Sequence, residues 1–349
     1  MKMGIGGFPG AGKTTIFNAL TGLSADVGAA AGASTRPNLG VIKVPDARVE
    51  ALSALFSPKK KTYAEMTFVD FPDPPGESGR LDERAIAQMR EVDALAHVVR
   101  AFDDPTQAAS ADPARDLESF QTELVVADLT LVERRLERVQ KEKGKERERD
   151  LLIRLQKALD AGQELREISL TAEEESQISG FGFLSLKPRL VVLNVSEDRV
   201  VAGVPKAIQD LLAEAKLAGV AVSGKLEMEL AELEDADRRT FEADLGLDES
   251  ARDRFLRASY ALLDLMSFLT AGEDEVRAWT IRRGDKAQVA AGKIHSDIAR
   301  GFIRAEVIAV NDLVELKSEA RCREAGKLRV EGKEYVVQDG DVIHFRFNV

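Results

Sequence analysis

The stretch Gly7-Phe8-Pro9-Gly10-Ala11-Gly12-Lys13-Thr14 follows the pattern glycine, any four residues, then Gly-Lys-Thr. Glycines let a backbone fold closely around an anion, so that successive N–H groups point at phosphate oxygens. A strand-like segment, residues 3–6, precedes the stretch, and a helical segment, residues 14–21, follows it. Because this loop has the strand and the helix that phosphate binding requires, it predicts a nucleoside-triphosphate site.

The lysine and the threonine of the loop have separate predicted roles. Lys13 is expected to reach the β and γ phosphates, and the Thr14 hydroxyl is expected to coordinate Mg²⁺, the predicted cofactor. Lys13 is therefore predicted to be catalytic as well as binding. The residues predicted to bind the nucleotide here are Phe8, Pro9, Gly10, Ala11, Gly12, Lys13, Thr14 and Thr15.

A second acid is expected at the end of a later strand, where it would hold Mg²⁺ through water. Asp70 closes the strand-like run Met66-Thr67-Phe68-Val69-Asp70, so we predict that it is a metal-binding and catalytic residue. A capping aspartate in a loop is the alternative. Three residues later, Asp73 stands where a glycine should contact the γ phosphate. Because a carboxylate repels phosphate unless a cation screens it, we expect an altered triphosphate sensor.

The base of the nucleotide should be recognised after a later buried strand, residues 189–194. GTPases usually place lysine second and aspartate fourth in the loop that reads guanine, whereas this chain has Val195 and Glu197 after Asn194. The longer acid should not fit guanine in the same register, so guanine specificity is not expected. The predicted base-binding residues at this strand end and the next are Asn194, Val195, Glu197, Ser223 and Gly224.

The composition limits the class of protein. The 349 residues carry a net charge of −11, which argues against a surface built throughout for nucleic acid. The single cysteine, Cys322, excludes an internal disulfide and suits a reducing cytosol. No apolar run approaches the ~20 residues that a membrane span needs. We therefore predict a cytoplasmic protein without membrane contact.

The histidines do not provide an evident general base. His97 lies in an apolar strand and is expected in the core, while His295 and His344 are far in sequence from the phosphate loop. Phosphoryl transfer depends mainly on positioning and charge stabilisation, so hydrolysis remains the expectation. The intrinsic rate should be slow without an activator.

Three parts are predicted along the chain. Strands and helices alternate over residues 1–101, and leucines and valines at helical spacing follow in residues 115–175, interrupted by the charged residues 141–150. This pattern predicts a helical hairpin, either a plain spacer or a partner-binding arm, inserted into an α/β nucleotide-binding domain with a mainly parallel sheet. The predicted domains are residues 1–111 with 187–266 for nucleotide binding, 112–186 for the hairpin, and 267–349 for a C-terminal α+β domain.

Secondary structure is also predicted for the C-terminal part. A helix over residues 253–268 leads into strands over 276–281, 304–309 and 342–347, with one helix over 288–300. The small number of strands and the single helix favour a separate α+β domain.

Further motifs extend along the whole chain, and with them the sequence resembles the Obg-like ATPase family, known in bacteria as YchF. The N-terminal and central motifs are the phosphate loop, Arg36-Pro37-Asn38-Leu39-Gly40-Val41, Pro45-Asp46-Ala47-Arg48, Phe68-Val69-Asp70, His97-Val98-Val99-Arg100, Leu186-Lys187-Pro188, residues 194–198 and Ala231-Glu232-Leu233. The C-terminal motifs are residues 268–279, Ala291-Gly292-Lys293-Ile294-His295, Gly301-Phe302-Ile303-Arg304-Ala305-Glu306 and Asp339-Gly340-Asp341-Val342.

The resemblance implies a P-loop NTPase of the TRAFAC class, an inserted helical hairpin and a C-terminal TGS domain of β-grasp type. It also implies a preference for ATP over GTP, which agrees with the residues after Asn194. Members associate with ribosomes, so the implied partner is the ribosome or ribosomal RNA, contacted through the hairpin and the TGS domain. In the first switch, Ser34 is implied as a Mg²⁺ ligand, with Thr35 as the alternative.

This chain departs from the family pattern at two places. Asp73 replaces the switch glycine, and Gly10-Ala11 replaces the usual Asn-Val of the phosphate loop. We therefore expect a divergent paralogue. The leading hypothesis is a Mg²⁺-dependent ATPase that acts as a nucleotide-gated switch linked to translation. The alternatives are a nucleotide-gated binding module with little hydrolysis and a conventional GTPase.

Overall fold

The computed structural model describes most of the chain in five ranges: residues 1–25, 36–72, 81–105, 109–247 and 249–348. Three residues of interest, Ser34, Thr35 and Asp73, lie outside the described residues. The chain divides into two compact units, Met1–Val41 with Thr67–Ala258 and Ile42–Met66 with Ser259–Val349. Among the described residues, no helix combines the length and apolar character of a membrane span.

Strands and helices are numbered here along the chain. The strands are β1 Lys2–Gly6, β2 Asn38–Val44, β3 Lys60–Thr62, β4 Ala64–Asp70, β5 Ala94–Ala101, β6 Arg189–Val195, β7 Ala218–Val222, β8 Leu265–Thr270, β9 Glu275–Arg282, β10 Phe302–Ala309, β11 Arg329–Glu331 and β12 Asp341–Phe347. The helices are α1 Lys13–Thr21, α2 Ala47–Phe56, α3 Glu83–Arg90, α4 Pro113–Val139, α5 Glu146–Asp160, α6 Ala172–Ile178, α7 Lys206–Glu214, α8 Gly224–Ala231, α9 Asp235–Asp244, α10 Ala251–Leu262, α11 Ala287–Ile294, α12 Ser296–Arg300, α13 Val310–Leu316 and α14 Glu319–Glu324.

The first unit is built on a six-stranded sheet with the order β2-β4-β1-β5-β6-β7. The neighbours β4, β1, β5, β6 and β7 pair in parallel. All seven residues of β6 are buried, as expected for a parallel strand covered on both faces. The predicted mainly parallel α/β sheet is therefore confirmed. The carboxyl ends of these strands meet at one edge, where the loops after β1, β4, β6 and β7 carry the predicted site.

The helical hairpin predicted from the leucine spacing is present as α4 and α5. Their facing sides form an apolar cluster that includes Val132, Leu136, Leu152, Leu155 and Leu159. Residues 140–145, between the two helices, are exposed, and so are Glu146 and Arg147 at the start of α5. The spacing of apolar residues thus identified both helices, and the charged run 141–150 marked the turn, although α5 already begins at Glu146.

One buried carboxylate fixes the base of the hairpin. Asp128 of α4 has no exposed surface, and its oxygens accept hydrogen bonds from the Leu184 and Ser185 backbone N–H groups at 3.0 and 2.7 Å. They also accept bonds from the Ser185 hydroxyl at 2.8 Å and from Arg90 Nη1 at 2.9 Å. A buried charge is tolerated only when it is paired and hydrogen-bonded in this way.

The second unit is built on a sheet with the order β11-β10-β12-β8-β9-β3. Its pairs β8–β9, β10–β12 and β10–β11 are antiparallel, whereas β8–β12 and β3–β9 are parallel. Apolar residues of α11 pack in one cluster with β8, β10 and β12, and apolar residues of α2 and α13 pack in another. The predicted C-terminal α+β fold is confirmed.

Two predicted helices in this part are wrong in their extent. The helix predicted over 253–268 ends at Leu262, and β8 begins at Leu265, because Asp264 takes a left-handed φ of 50° and the next residues pair with β9. The helix predicted over 288–300 is divided at His295, whose backbone is extended at φ −161°. The imidazole Nδ1 of His295 accepts a bond from the Asp297 N–H at 3.2 Å and so begins α12.

Residues 42–66 belong to the second unit, although the sequence predicted them as part of the nucleotide-binding domain. Strand β3 pairs with β9, and Val49 and Leu52 of α2 share the apolar cluster of Leu269. Arg48 forms ion pairs with two carboxylates that are distant in sequence. Its guanidinium lies 2.7 Å from the Asp46 carboxylate and 3.0 Å from the Asp339 carboxylate. The functional domain boundaries given above stay predictions.

Candidate nucleotide-binding site

The loop between β1 and α1 has a backbone shape that two of its glycines make possible. Gly7 has φ 144° and Gly12 has φ 85°, values that other residues rarely adopt. A Cβ atom at Gly7 would lie 2.4 Å from the Val98 carbonyl oxygen, and one at Gly12 would lie 2.3 Å from Asn194 Nδ2. Both positions therefore require glycine for conformation and for space.

The lysine of the loop is the first residue of α1. Its side chain is buried at 6% exposure, and its Nζ donates a hydrogen bond to the Phe8 carbonyl oxygen at 3.1 Å. The N-cap of α1 is Gly12, which brings no side-chain oxygen to compete with an anion for the first N–H groups. The predicted residues 8–15 thus form one loop and helix start suited to phosphate.

A hydroxyl and a carboxylate from distant parts of the sequence meet beside this loop. Thr14 Oγ1 donates to Asp70 Oδ2 at 2.9 Å, and Asn38 Nδ2 donates to the same oxygen at 3.1 Å. Asp70 ends β4 and is 1% exposed. The predicted pair of Thr14 and Asp70 is therefore brought together by the parallel pairing of β1 with β4.

These two side chains fit a Mg²⁺ ion. Magnesium takes oxygen ligands and usually binds one or two carboxylates together with water and phosphate oxygens. The hydrogen of the Thr14 hydroxyl is directed to Asp70, so the oxygen retains lone pairs for a cation. Among the described residues, no group of three or more acids, histidines and cysteines could form a metal site by itself. Thr14 and Asp70 would thus hold Mg²⁺ together with the nucleotide.

The predicted base loop is tied to the phosphate loop by one asparagine. Asn194 Nδ2 donates to the Ala11 carbonyl oxygen at 3.0 Å, and the Gly224 N–H donates to Asn194 Oδ1 at 3.1 Å. Ser223 caps α8 by accepting a bond from the Leu226 N–H. The loops after β1, β6 and β7 are therefore held together by Asn194.

The other predicted base residues differ in exposure. Val195 is 4% exposed and lies in the apolar cluster with Leu193 and Val200. Glu197 is exposed, and its Oε1 lies 2.7 Å from Lys225 Nζ. This ion pair was missed from the sequence, although a lysine directly after Ser223-Gly224 was the available signal. Direct contact of Val195 and Glu197 with a base stays a prediction.

A pair of stacked aromatic rings contacts Phe8 of the phosphate loop. His97 of β5 is fully buried and stacks on Phe120 at 3.8 Å between ring centroids, and Phe120 meets Phe8 edge-to-face at 6.0 Å. Within the described residues, neither ring nitrogen of His97 has a hydrogen-bond partner. Burial lowers the pKa of His97 well below its usual value, and the charges of Arg189 and Lys13 lower it further. The predicted core position of His97 is confirmed.

The buried imidazole predicts a pH-dependent stability. The unfolded chain binds a proton at His97 below about pH 6.5 while the folded chain does not, so stability falls as the pH drops through this value. When the pH falls from 7.5 to 5.5, the free energy of unfolding of the native protein should decrease by about 1.4 kcal/mol more than that of His97→Leu, as measured by urea unfolding. His344→Gln, at an exposed position, should keep the native loss. Equal losses in all three proteins would contradict the assignment.

Comparisons with known proteins identify the family of the chain. The family model for the YchF GTPase C-terminal domain, described as a protein of unknown function, matches residues 265–348. The family model described as a 50S ribosome-binding GTPase matches residues 2–194. The ribosome-binding ATPase YchF of Bacillus subtilis is 42% identical over the whole of both chains. The chain belongs to the YchF family.

Further relatives extend the match over the full length. The ribosome-binding ATPase YchF of Haemophilus ducreyi is 40% identical, covering 100% of this chain and 99% of that protein. The solved YchF GTPase of Schizosaccharomyces pombe has a TM-score of 0.87 and 29% identity, covering 99% of this chain and 97% of that one. The predicted family and fold class are confirmed, and the chain is a P-loop nucleotide-binding enzyme. The expectation of a divergent paralogue stays a prediction.

Proposed function

We propose that this protein is a Mg²⁺-dependent ATPase that hydrolyses ATP to ADP and phosphate and acts as a nucleotide-gated switch. The observation that carries the proposal is the contact of the Thr14 hydroxyl with the Asp70 carboxylate at 2.9 Å, beside the buried Lys13. A phosphate-binding lysine, a hydroxyl and a strand-end acid are the protein groups that phosphoryl transfer on a P-loop requires.

The chain itself contributes binding, orientation and charge. The loop N–H groups and Lys13 hold the phosphate oxygens, and the β1–β4 pairing fixes Asp70 opposite Thr14. Bound Mg²⁺ would neutralise charge on the β and γ phosphates. Asp73 stands in place of the switch glycine, three residues after Asp70 in the sequence. Its negative charge would repel the phosphates, which supports a slow intrinsic rate of hydrolysis.

The residues of the predicted base-binding loop favour the binding of ATP over that of GTP. Guanine recognition in P-loop GTPases uses an aspartate that accepts two hydrogen bonds from the base, and this chain has Glu197 there. The Glu197 carboxylate already accepts a bond from Lys225 at 2.7 Å, so binding guanine would have to displace that lysine. Val195 replaces the usual lysine with an apolar side chain.

The ribosome is the proposed partner. The Bacillus subtilis and Haemophilus ducreyi relatives are named ribosome-binding ATPases, and they match this chain along its whole length. The hairpin carries an exposed charged tip over residues 140–147, a surface suited to a polar partner. We infer that the hairpin and the C-terminal TGS domain contact the ribosome or its RNA in the cytoplasm.

Single-turnover hydrolysis tests the enzymatic part. With protein in excess over radiolabelled ATP and Mg²⁺, the native protein should convert bound ATP to ADP slowly, and removal of Mg²⁺ by EDTA should stop the conversion. Tight ATP binding without conversion would favour the second candidate, a nucleotide-gated binding module, for which Asp73 is the motivating residue. Conversion of GTP in preference to ATP would instead identify a conventional GTPase.

A further inference from the structure

Asn38 has a side-chain contact that its place in a sequence motif did not reveal. It is the first residue of β2, and β2 lies next to β4 in the sheet. Its amide Nδ2 donates to Asp70 Oδ2 at 3.1 Å, the same oxygen that accepts the Thr14 hydroxyl at 2.9 Å. One carboxylate oxygen thus receives two donors from two different elements.

The chemistry of this donor suits a carboxylate that must bind a cation. Asp70 is 1% exposed, and burying a polar group is costly unless it is hydrogen-bonded. A neutral amide supplies such a bond without cancelling the negative charge, whereas a lysine or arginine would compete with the metal. The two donors also restrict rotation of the carboxylate, because Thr14 and Asn38 approach from α1 and β2.

We propose that Asn38 is a positioning residue for the Mg²⁺ site, which holds Asp70 in the orientation that a bound ion requires. The inference rests on the proposed function, in which Thr14 and Asp70 hold Mg²⁺. Residues that donate hydrogen bonds to a metal-binding carboxylate fix its orientation, and their loss usually weakens metal affinity.

The test measures Mg²⁺ dependence of nucleotide binding rather than activity. Binding of a fluorescent N-methylanthraniloyl-ATP is followed in full-length native protein and in Asn38→Leu, first in EDTA and then at increasing Mg²⁺. Asn38→Leu should bind the nucleotide in EDTA as the native protein does. Its half-saturating Mg²⁺ concentration should rise about tenfold, as expected for one lost hydrogen bond to a charged group.

A matched control is Asn18→Ala in the same unit. Asn18 is buried and forms hydrogen bonds with the Ala25 backbone, so its loss should lower the unfolding temperature without changing the Mg²⁺ dependence. If the native protein required Mg²⁺ and Asn38→Leu had the same requirement, the proposed role of Asn38 would be wrong, and the proposed metal site would stand. An equal rise in Asn18→Ala would also overturn it, in favour of general loosening. Native binding that ignores Mg²⁺ would overturn both this inference and the proposed metal site.

Discussion

Lys13→Ala should lower the affinity for ATP about 100-fold or more, because each charge-assisted hydrogen bond from the lysine to a phosphate is worth ~1.5–3 kcal/mol. Lys13 is 6% exposed and is the first residue of α1, so a phosphate bound there would be partly shielded from water. Its Nζ donates to the Phe8 carbonyl oxygen, and the fold should survive the loss of this contact. Calorimetric titration of ATP into the variant measures the effect.

The control for this change is Lys157→Ala. Lys157 is an exposed lysine of α5, in the same unit and outside the phosphate loop. It should bind ATP as the native protein does, and circular dichroism should show both variants folded. If folded Lys13→Ala bound ATP as tightly as the native protein, the assignment of the phosphate site would be wrong.

Asp128→Ala should lower the free energy of unfolding by about 3–5 kcal/mol, the range for removing one partner of a buried ion pair. Asp128 is fully buried, and its removal deprives Arg90 of its carboxylate and leaves the Leu184 and Ser185 N–H groups without their acceptor. The apolar faces of α4 and α5 remain, so the loss should come from polar groups at the base of the hairpin. Urea unfolding followed by circular dichroism measures the difference.

Asp150→Ala is the matched control for the hairpin. Asp150 lies on α5 and is exposed, so its removal should change the free energy of unfolding by less than about 0.5 kcal/mol. Equal unfolding midpoints for the native protein and Asp128→Ala would show that the buried carboxylate does not stabilise the hairpin base.

The features that the sequence predicted well are those encoded by local patterns. The phosphate loop, its flanking strand and helix, and the apolar strand β6 each follow from a contiguous run of residues. The hairpin also followed, because its leucines recur at helical spacing on α4 and α5. Asp46 is the N-cap of α2, and its carboxylate accepts a bond from the Arg48 N–H at 2.9 Å, as is usual for an aspartate before a helix.

The features that could not be predicted from the sequence depend on contacts between distant residues. Strand β8 pairs antiparallel with β9, so its strand conformation depends on the partner as well as on its own residues. Residues 42–66 join the second unit through β3, three residues long, and through the Arg48–Asp339 ion pair, 291 positions apart in the numbering. Asn38 gave no signal by itself, because its role requires Asp70 from a neighbouring strand.

The central claim is that the loop around Lys13 binds ATP with Mg²⁺ in preference to GTP. Calorimetric titration of native protein with each nucleotide, with and without Mg²⁺, tests it most directly. ATP should bind at one site, more tightly with Mg²⁺ than without it, and at least about tenfold more tightly than GTP, a difference of ~1.4 kcal/mol. Tight binding of GTP with negligible affinity for ATP would contradict the claim.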